Sequence, residues 1–178
     1  MKKLKGTKTE QNLKEAFKGE SEARNKYTYF ASKAKKEGYI QISKIFEETA
    51  ENEREHAKVW FKIIDKIGTT EENLRSAIKT EGYEAREMYP SFAKEAEAEG
   101  FDDIAKLFTE ISEVEAEHEK RYKKLLSNIE NQTVFKSEKD AEWICMNCGY
   151  VHKGKTAPKS CPACSHPQEY FALKSENY

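Results

Sequence analysis

The pattern Glu-x-x-His occurs twice, as Glu-Arg-Glu-His at residues 53–56 and as Glu-Ala-Glu-His at residues 115–118. On a helix, residues three apart lie on the same face, so each motif presents a carboxylate and an imidazole together. When two such helices face each other in a four-helix bundle and the other two helices add carboxylates, the side chains form a dinuclear iron or manganese site. The two motifs therefore predict an all-α four-helix bundle with redox chemistry in its core.

Both motifs belong to an internal repeat with an offset of 62 residues. The tripeptide Glu-Ala-Arg at residues 22–24 recurs at 84–86, and the dipeptide Glu-Gly at 37–38 recurs at 99–100. A glycine directly after a helical segment commonly ends the helix. Each repeat is therefore predicted to be a helix, a turn and a second helix.

Four helices follow from this repeat, and Pro90 is a candidate kink in the third. The apolar residues that recur along the helices, among them Phe30, Ile42 and Phe92, are expected to form the core of the bundle. The predicted helices cover residues 9–36, 40–66, 71–99 and 102–129.

The charge balance argues against several classes of partner. Charged residues make up 35% of the chain, but the net charge is only −1, so nothing attracts the protein to nucleic acid or to an anionic membrane. No apolar run approaches the ~18 residues of a membrane span. The lysines near the N-terminus precede no apolar segment of the kind found in secretory signals. We therefore expect a cytoplasmic protein with no nucleic-acid and no membrane partner.

All four cysteines lie close together near the C-terminus, as the pairs Cys145/Cys148 and Cys161/Cys164. Four thiolates in two Cys-x-x-Cys pairs suit a tetrahedral iron or zinc site, which a reducing cytosol favours over disulfides. Zinc ribbons share this spacing, so the spacing alone leaves the metal open. The aromatic neighbours are expected to exclude water, as a redox centre requires; they are Trp143, Tyr150, Tyr170 and Phe171.

The spacing of the remaining carboxylates leaves their roles ambiguous. Glu20 lies 36 residues before His56, whereas Glu81 and Glu84 lie 37 and 34 residues before His118. The repeat places Glu22, not Glu20, opposite Glu84, so spacing does not choose between Glu20 and Glu22. The alternative for each of these residues is an ordinary exposed acid on a Glu-rich helix. A carboxylate-rich site with few histidines suits iron or manganese better than structural zinc.

Several stretches carry a resemblance to a known family; they are residues 19–25, 53–58, 87–93, 118–121, 143–150 and 161–164. Over nearly its whole length the chain resembles rubrerythrin, in which a ferritin-like helical domain precedes a small rubredoxin-like metal domain. The resemblance implies a helical domain at residues 1–130, a linker at 131–141 and a domain of β-strands and metal-binding knuckles, with one iron on four cysteines, at 142–178. The last segment is too small for a hydrophobic core and needs the metal as a staple.

The resemblance also implies the ligands of both iron sites. It favours Glu20 over Glu22 and gives the bridging positions to Glu53 and Glu115. His56 becomes an alternative ligand that exchanges with Glu84. Tyr27 and Tyr89 match tyrosines near the site that hydrogen-bond ligands or peroxide; the alternative for each is a buried tyrosine bonded to a structural carboxylate. The implied di-iron ligands are Glu20, Glu53, Glu81, Glu84, Glu115 and His118, and a single iron is held by Cys145, Cys148, Cys161 and Cys164.

The function implied by the resemblance is that of a non-haem di-iron peroxidase in oxidative-stress defence. Hydrogen peroxide is reduced to water, and electrons pass through the cysteine-bound iron from rubredoxin or an NAD(P)H-dependent reductase. Two alternatives from other classes are a ferroxidase or iron-handling protein and a non-enzymatic metal-binding scaffold. The cysteine segment argues against iron storage, because storage needs no built-in electron input.

The connection between the two repeats is short. Only 24 residues separate His56 from Glu81, and Thr70 with the two acids after it looks like a helix start. Little chain is then left to cross the bundle. We therefore expect a homodimer in which the subunits exchange helical hairpins and share each di-iron site.

Overall fold

The computed structural model describes residues 4–175 and contains five α-helices and three β-strands. They form two compact units, one up to Ile67 and one from Gly68 onward. Within the described residues, no helix is both long and apolar enough to cross a membrane. The elements are α1 (Lys8–Lys36), α2 (Ile40–Ile64), α3 (Thr70–Tyr83), a π-helical turn (Glu84–Met88), α4 (Tyr89–Ala98), α5 (Asp102–Glu130), β1 (Lys136–Cys145), β2 (Val151–Thr156) and β3 (Phe171–Leu173).

The first unit is a hairpin of α1 and α2. Thr7 caps α1 by accepting a hydrogen bond from the backbone N–H of Glu10 at 3.1 Å. Gly38 ends the helix with a φ of +86°, as the Glu-Gly pair predicts. Buried alanines, including Ala31 and Ala34, line the hairpin, and the hydroxyl of Ser43 donates to the carbonyl of Ala31 at 2.9 Å.

The second unit begins with the hairpin that α3, the π turn and α4 form with α5. Thr69, rather than the predicted Thr70, is the N-cap of α3, and it forms a capping box with Glu72. The preceding helix, α2, stops at Ile64, two residues before its predicted end, because Asp65 adopts an extended backbone conformation. The third predicted helix is helical over its length, but its middle is a π turn just before Pro90.

The apolar stripe that was expected to be bundle core is only partly buried. Phe30 is 46% exposed, Ile42 47% and Phe92 40%. In the single chain, the fully buried positions between the helices are held by small alanines instead.

The second unit ends in a three-stranded antiparallel sheet with the strand order β2-β1-β3. Trp143 on β1 pairs with His152, and its indole N–H donates to the carbonyl of Gly154 at 2.9 Å. Trp143, Cys145, Cys161 and Phe171 are almost fully buried and form a small core with Ala157. The strand β1 starts at Lys136, inside the segment predicted as linker. The domain boundaries at 130 and 142 stay a prediction.

Candidate metal sites

The first hairpin brings together one carboxylate from α1 and the first Glu-x-x-His motif from α2. Ligand atoms of Glu20, Glu53 and His56 all lie within 4.8 Å of one another. His56 Nδ1 is 2.7 Å from a carboxylate oxygen of Glu53, one helical turn earlier. Glu22, the alternative to Glu20, lies outside this group and pairs with Lys26 at 2.5 Å.

The second hairpin contains a matching group. Glu81 on α3 lies with Glu115 and His118 of α5, again with ligand atoms within 4.8 Å. His118 Nδ1 is 2.7 Å from Glu115 and 3.4 Å from Glu81. Burial raises the pKa of Glu81, and the hydrogen bond and charge of Glu115 raise it further. Two carboxyl groups this close repel each other when both are ionised, and a bound cation removes that repulsion.

A single extra residue explains the imperfect repeat. Glu20 and Glu81 occupy matching places at an offset of 61, whereas Glu53/Glu115 and Tyr27/Tyr89 keep the offset of 62. The additional residue must lie between Glu81 and Tyr89, where the structure has the π turn. A π turn accommodates one extra residue in an otherwise α-helical segment. The ambiguity between Glu20 and Glu22 thus arises from comparing positions across an insertion.

Glu84 is the first residue of this π turn and is partly buried. It is not part of the three-residue group around Glu81. Tyr89 follows the turn, and its pKa is raised by burial first and then by the charges of Glu84, Glu115 and Glu81. The phenol therefore lies within electrostatic range of three of the predicted ligands.

The two predicted tyrosines have matching surroundings in the two hairpins. The Tyr27 ring lies 6.0 Å from Phe46, and the Tyr89 ring lies 6.0 Å from Phe108. Both tyrosines also contact the phenylalanine three residues later. The two rings are thus fixed by packing against the same kind of aromatic neighbours.

The four cysteines converge on one point. Their sulfur atoms lie within 4.8 Å of one another, with 3.7 Å between Cys145 and Cys164 and 3.6 Å between Cys148 and Cys161. Tight turns follow Cys145 and Cys161, and Gly149 and Ser165 close them with positive φ angles. The backbone N–H of His166 helps to lower the pKa of Cys164 to about 6. A thiolate stabilised in this way, as at Cys164, is a ready metal ligand.

One contact near the second group was not predicted from the sequence. Arg86 donates two hydrogen bonds to Glu119, at 2.7 and 3.0 Å, and Lys123 lies 3.0 Å from the same carboxylate. These bonds, Arg86 first, lower the pKa of Glu119 to about 2. The sequence contains one indication of this contact: the two repeats differ at this position, since Ala57 stands where the second repeat has Glu119.

A bundle-forming helical segment with two carboxylate–histidine groups, followed by a four-cysteine domain, defines a metalloprotein with a ferritin-like and a rubredoxin-like part. The family model "Rubrerythrin" matches residues 11–126, and the model "Rubrerythrin, rubredoxin-like domain" matches residues 143–172. The chain belongs to the rubrerythrin family.

Individual relatives match over the full length. Rubrerythrin-1 of Clostridium acetobutylicum is 53% identical over 195 residues and covers all of both chains. Rubrerythrin of Nitratidesulfovibrio vulgaris is 47% identical over 191 residues, also with complete coverage. Among solved structures, partially reduced nigerythrin is 32% identical, covers 97% of this chain and 89% of its own, and has a TM-score of 0.37.

Membership of this family establishes the general chemistry. The four cysteines fit a rubredoxin-like iron site, and the glutamate and histidine groups fit a ferritin-like di-iron site. Rubrerythrins are di-iron proteins of oxidative-stress defence and generally oxidoreductases. As a family they use peroxide and rubredoxin-type electron donors.

Proposed function

We propose that this protein is a peroxidase that reduces hydrogen peroxide to two waters. The observation that carries the proposal is the pair of matching carboxylate–histidine groups, one in each hairpin, in a chain that also contains a four-cysteine site. A ferrous pair, when bound, supplies two electrons to each peroxide molecule, and two protons complete the two waters.

The proposed di-iron ligands are those implied by the family; they are Glu20, Glu53, Glu81, Glu84, Glu115 and His118. The resemblance implies that Glu53 and Glu115 would bridge the two metals, and each lies 2.7 Å from the histidine of its own motif. His56 is the proposed alternative to Glu84. Replacing an anionic carboxylate with a neutral imidazole changes the charge of the site by one, which suits a metal pair that changes its own charge.

Tyr27 and Tyr89 are proposed to hold peroxide and to donate hydrogen bonds to it. A tyrosine phenol is ordinarily protonated at neutral pH, and burial raises the pKa of Tyr89 further, so this residue can donate a hydrogen bond.

Cys145, Cys148, Cys161 and Cys164 would hold a single iron, which would supply electrons to the di-iron site. Cys145 and Cys161 are buried beside Trp143, whereas Cys148 is exposed. A metal site with one exposed thiolate can exchange electrons with a docked donor while its other side stays dry. The proposed donor is rubredoxin or an NAD(P)H-dependent reductase.

Chain length supports a homodimer with exchanged hairpins. Ferritin-like bundles join their hairpins through a long crossover. The helix α2 has 25 residues, or ~37 Å at 1.5 Å per residue. Only Asp65 to Thr69 connect α2 to α3, and five extended residues span at most ~18 Å. In a dimer, the second copy can supply the hairpin that the short connection prevents the same chain from supplying. The exposed apolar stripe gives the two copies a surface to bury.

Mixed dimers test the exchange. One chain carries Glu53→Ala and His56→Ala, and the other carries Glu115→Ala and His118→Ala. In an exchanged dimer, the mixed species has one site with both hairpins intact, so peroxide consumption returns to about half of the normal rate per dimer. If mixing restores nothing, each site is built from a single chain.

Steady-state turnover tests the peroxidase proposal itself. Purified protein supplied with NADH, a reductase and rubredoxin should consume one NADH for each hydrogen peroxide, and His118→Ala should abolish this consumption. Fast oxidation of added ferrous iron by oxygen, without donor-dependent peroxide consumption, would instead favour the ferroxidase alternative.

A further inference from the structure

The π turn contains a carbonyl group that its own helix cannot satisfy. In the π register, the N–H of Tyr89 donates to the carbonyl of Glu84. The carbonyl of Ala85 would then need a donor at residue 90, but Pro90 has no N–H. The π register therefore supplies no donor. The hydroxyl of Ser112, reaching across from α5, donates to Ala85 at 2.8 Å and fills this place.

A second contact holds the same turn from the side. Arg86, inside the turn, makes its two hydrogen bonds to Glu119 on α5. Gly82 lies beside this pair, and a Cβ atom at that position would clash with both Arg86 and Glu119. The present position of the ion pair thus depends on a residue without a side chain.

Both contacts are specific to the hairpin that has the extra residue. The repeat places Ala50 opposite Ser112 and Ala57 opposite Glu119, and neither alanine can make the corresponding bond. The helix α1, which the structure describes along its whole length, is α-helical throughout. The two contacts therefore accompany the π turn and are not general features of the repeat.

The position of the π turn along the helix matters for Glu84. Glu84 begins the turn, and its N–H still bonds to the carbonyls of Thr80 and Glu81, so its direction relative to Glu81 is that of a regular helix. Each residue of an α-helix is rotated by about 100° from the one before it, so if the extra residue moved to the N-terminal side of Glu84, that side chain would turn to another face. A turn with an unsatisfied carbonyl would be prone to such movement, because a buried carbonyl without a donor is unfavourable.

We propose that Ser112 and the Arg86–Glu119 pair are positioning residues, which hold the π turn in place so that Glu84 stays available as a ligand of the proposed di-iron site. The inference rests on the proposed function only in the assignment of Glu84 as a ligand. It requires no particular oxidant and no particular electron donor.

Cobalt(II) binding to the full chain tests this role without any turnover. One equivalent of zinc is added first to occupy the four cysteines, and the weak visible bands of cobalt then report binding to the glutamates and histidines. Ser112→Ala should weaken this binding about tenfold, as loss of a group that orients a ligand typically does. Ser112→Thr keeps the hydroxyl and should restore binding.

The matched control is Ser43, whose hydroxyl makes the same kind of bond to the carbonyl of Ala31 in the other hairpin, on a regular α-helix. Ser43→Ala should leave cobalt binding unchanged, although it removes an equivalent hydrogen bond. In the double variant Ser112→Ala/Glu84→Gln, binding should be no weaker than in Glu84→Gln alone, because both changes act through one ligand.

The outcomes separate this inference from the proposed function. Cobalt binding unchanged in Ser112→Ala, or equal losses in Ser112→Ala and Ser43→Ala, would overturn the positioning role. Full additivity in the double variant would overturn it too. If cobalt binding follows the expected pattern but the protein does not consume peroxide, the positioning role stands and the peroxidase proposal fails.

Discussion

Gly82 and Gly19 form a matched pair for measuring the contact between Arg86 and Glu119. Both glycines lie inside helices, where replacement by alanine normally stabilises a protein by about 1 kcal/mol. A Cβ atom at Gly19 meets nothing within 4 Å, whereas one at Gly82 would clash with both members of the ion pair. Gly19→Ala should therefore stabilise the protein, and Gly82→Ala should push the ion pair apart.

The size of the effect follows from the exposure of the pair. Hydrogen bonds to charged groups contribute about 1.5–3 kcal/mol. Because the Arg86 side chain is 62% exposed, water screens the interaction, and the range for exposed ion pairs, about 0.2–1 kcal/mol, applies instead. The helix gain of about 1 kcal/mol offsets most or all of this loss, so Gly82→Ala should be less stabilised than Gly19→Ala, which gains the full amount of about 1 kcal/mol.

Thermal unfolding followed by circular dichroism at 222 nm measures this difference. A gap of up to about 1 kcal/mol between the variants corresponds to a difference of up to about 2–4 °C in Tm for a chain of this size. Equal melting temperatures for Gly82→Ala and Gly19→Ala would show that the ion pair contributes nothing. The reasoning about the close approach at Gly82 would then be refuted.

Three further predictions concern the cysteine site, the ion pair and the connection between hairpins. Cys161→Ser should abolish re-reduction by an external donor but leave a single turnover of pre-reduced protein with peroxide intact; loss of single turnover in a folded variant would contradict the two-site scheme. Glu119 has a pKa of about 2, lowered from 4.5, so its contribution is present above pH 4.5 and is lost as the pH falls toward 2. Glu119→Gln should thus be about 1 kcal/mol less stable than the native protein at pH 7 in denaturant titrations, with the difference vanishing near pH 2; a difference independent of pH would contradict this. Insertion of about fifteen Gly and Ser residues after Gly68 gives the connection enough reach to close each site within one chain. In the mixed-dimer assay, this insertion should reduce the recovery of activity. Full recovery would contradict the claim that the short connection between α2 and α3 causes the exchange.

The sequence predicted the helical pairs and both metal-binding motifs, because they depend on local spacing. Two histidines with the same spacing, and two Cys-x-x-Cys pairs, indicate their chemistry wherever the chain folds. The cap at Thr69 and the end of α2 were misplaced by one or two residues, since propensity alone does not distinguish Thr69 from Thr70.

The π turn could not be predicted from periodicity. An insertion of one residue leaves the apolar pattern on both sides intact and merely shifts it, so an alignment at a constant offset paired Glu84 with Glu22. The partners of the turn were hidden for a related reason. Ser112 and Glu119 look like ordinary polar residues of a charged helix until the structure places Ala85 and Arg86 next to them.

The central claim is tested most directly by adding hydrogen peroxide to the fully reduced protein in the absence of air. Iron and zinc are first counted per chain, and visible absorption then follows oxidation of the cysteine-bound iron. We expect about three irons per chain and complete, rapid oxidation by about 1.5 equivalents of peroxide, because three ferrous ions hold three electrons and each peroxide takes two. Zinc at the four cysteines, or a reduced di-iron site that does not react with peroxide, would contradict the claim.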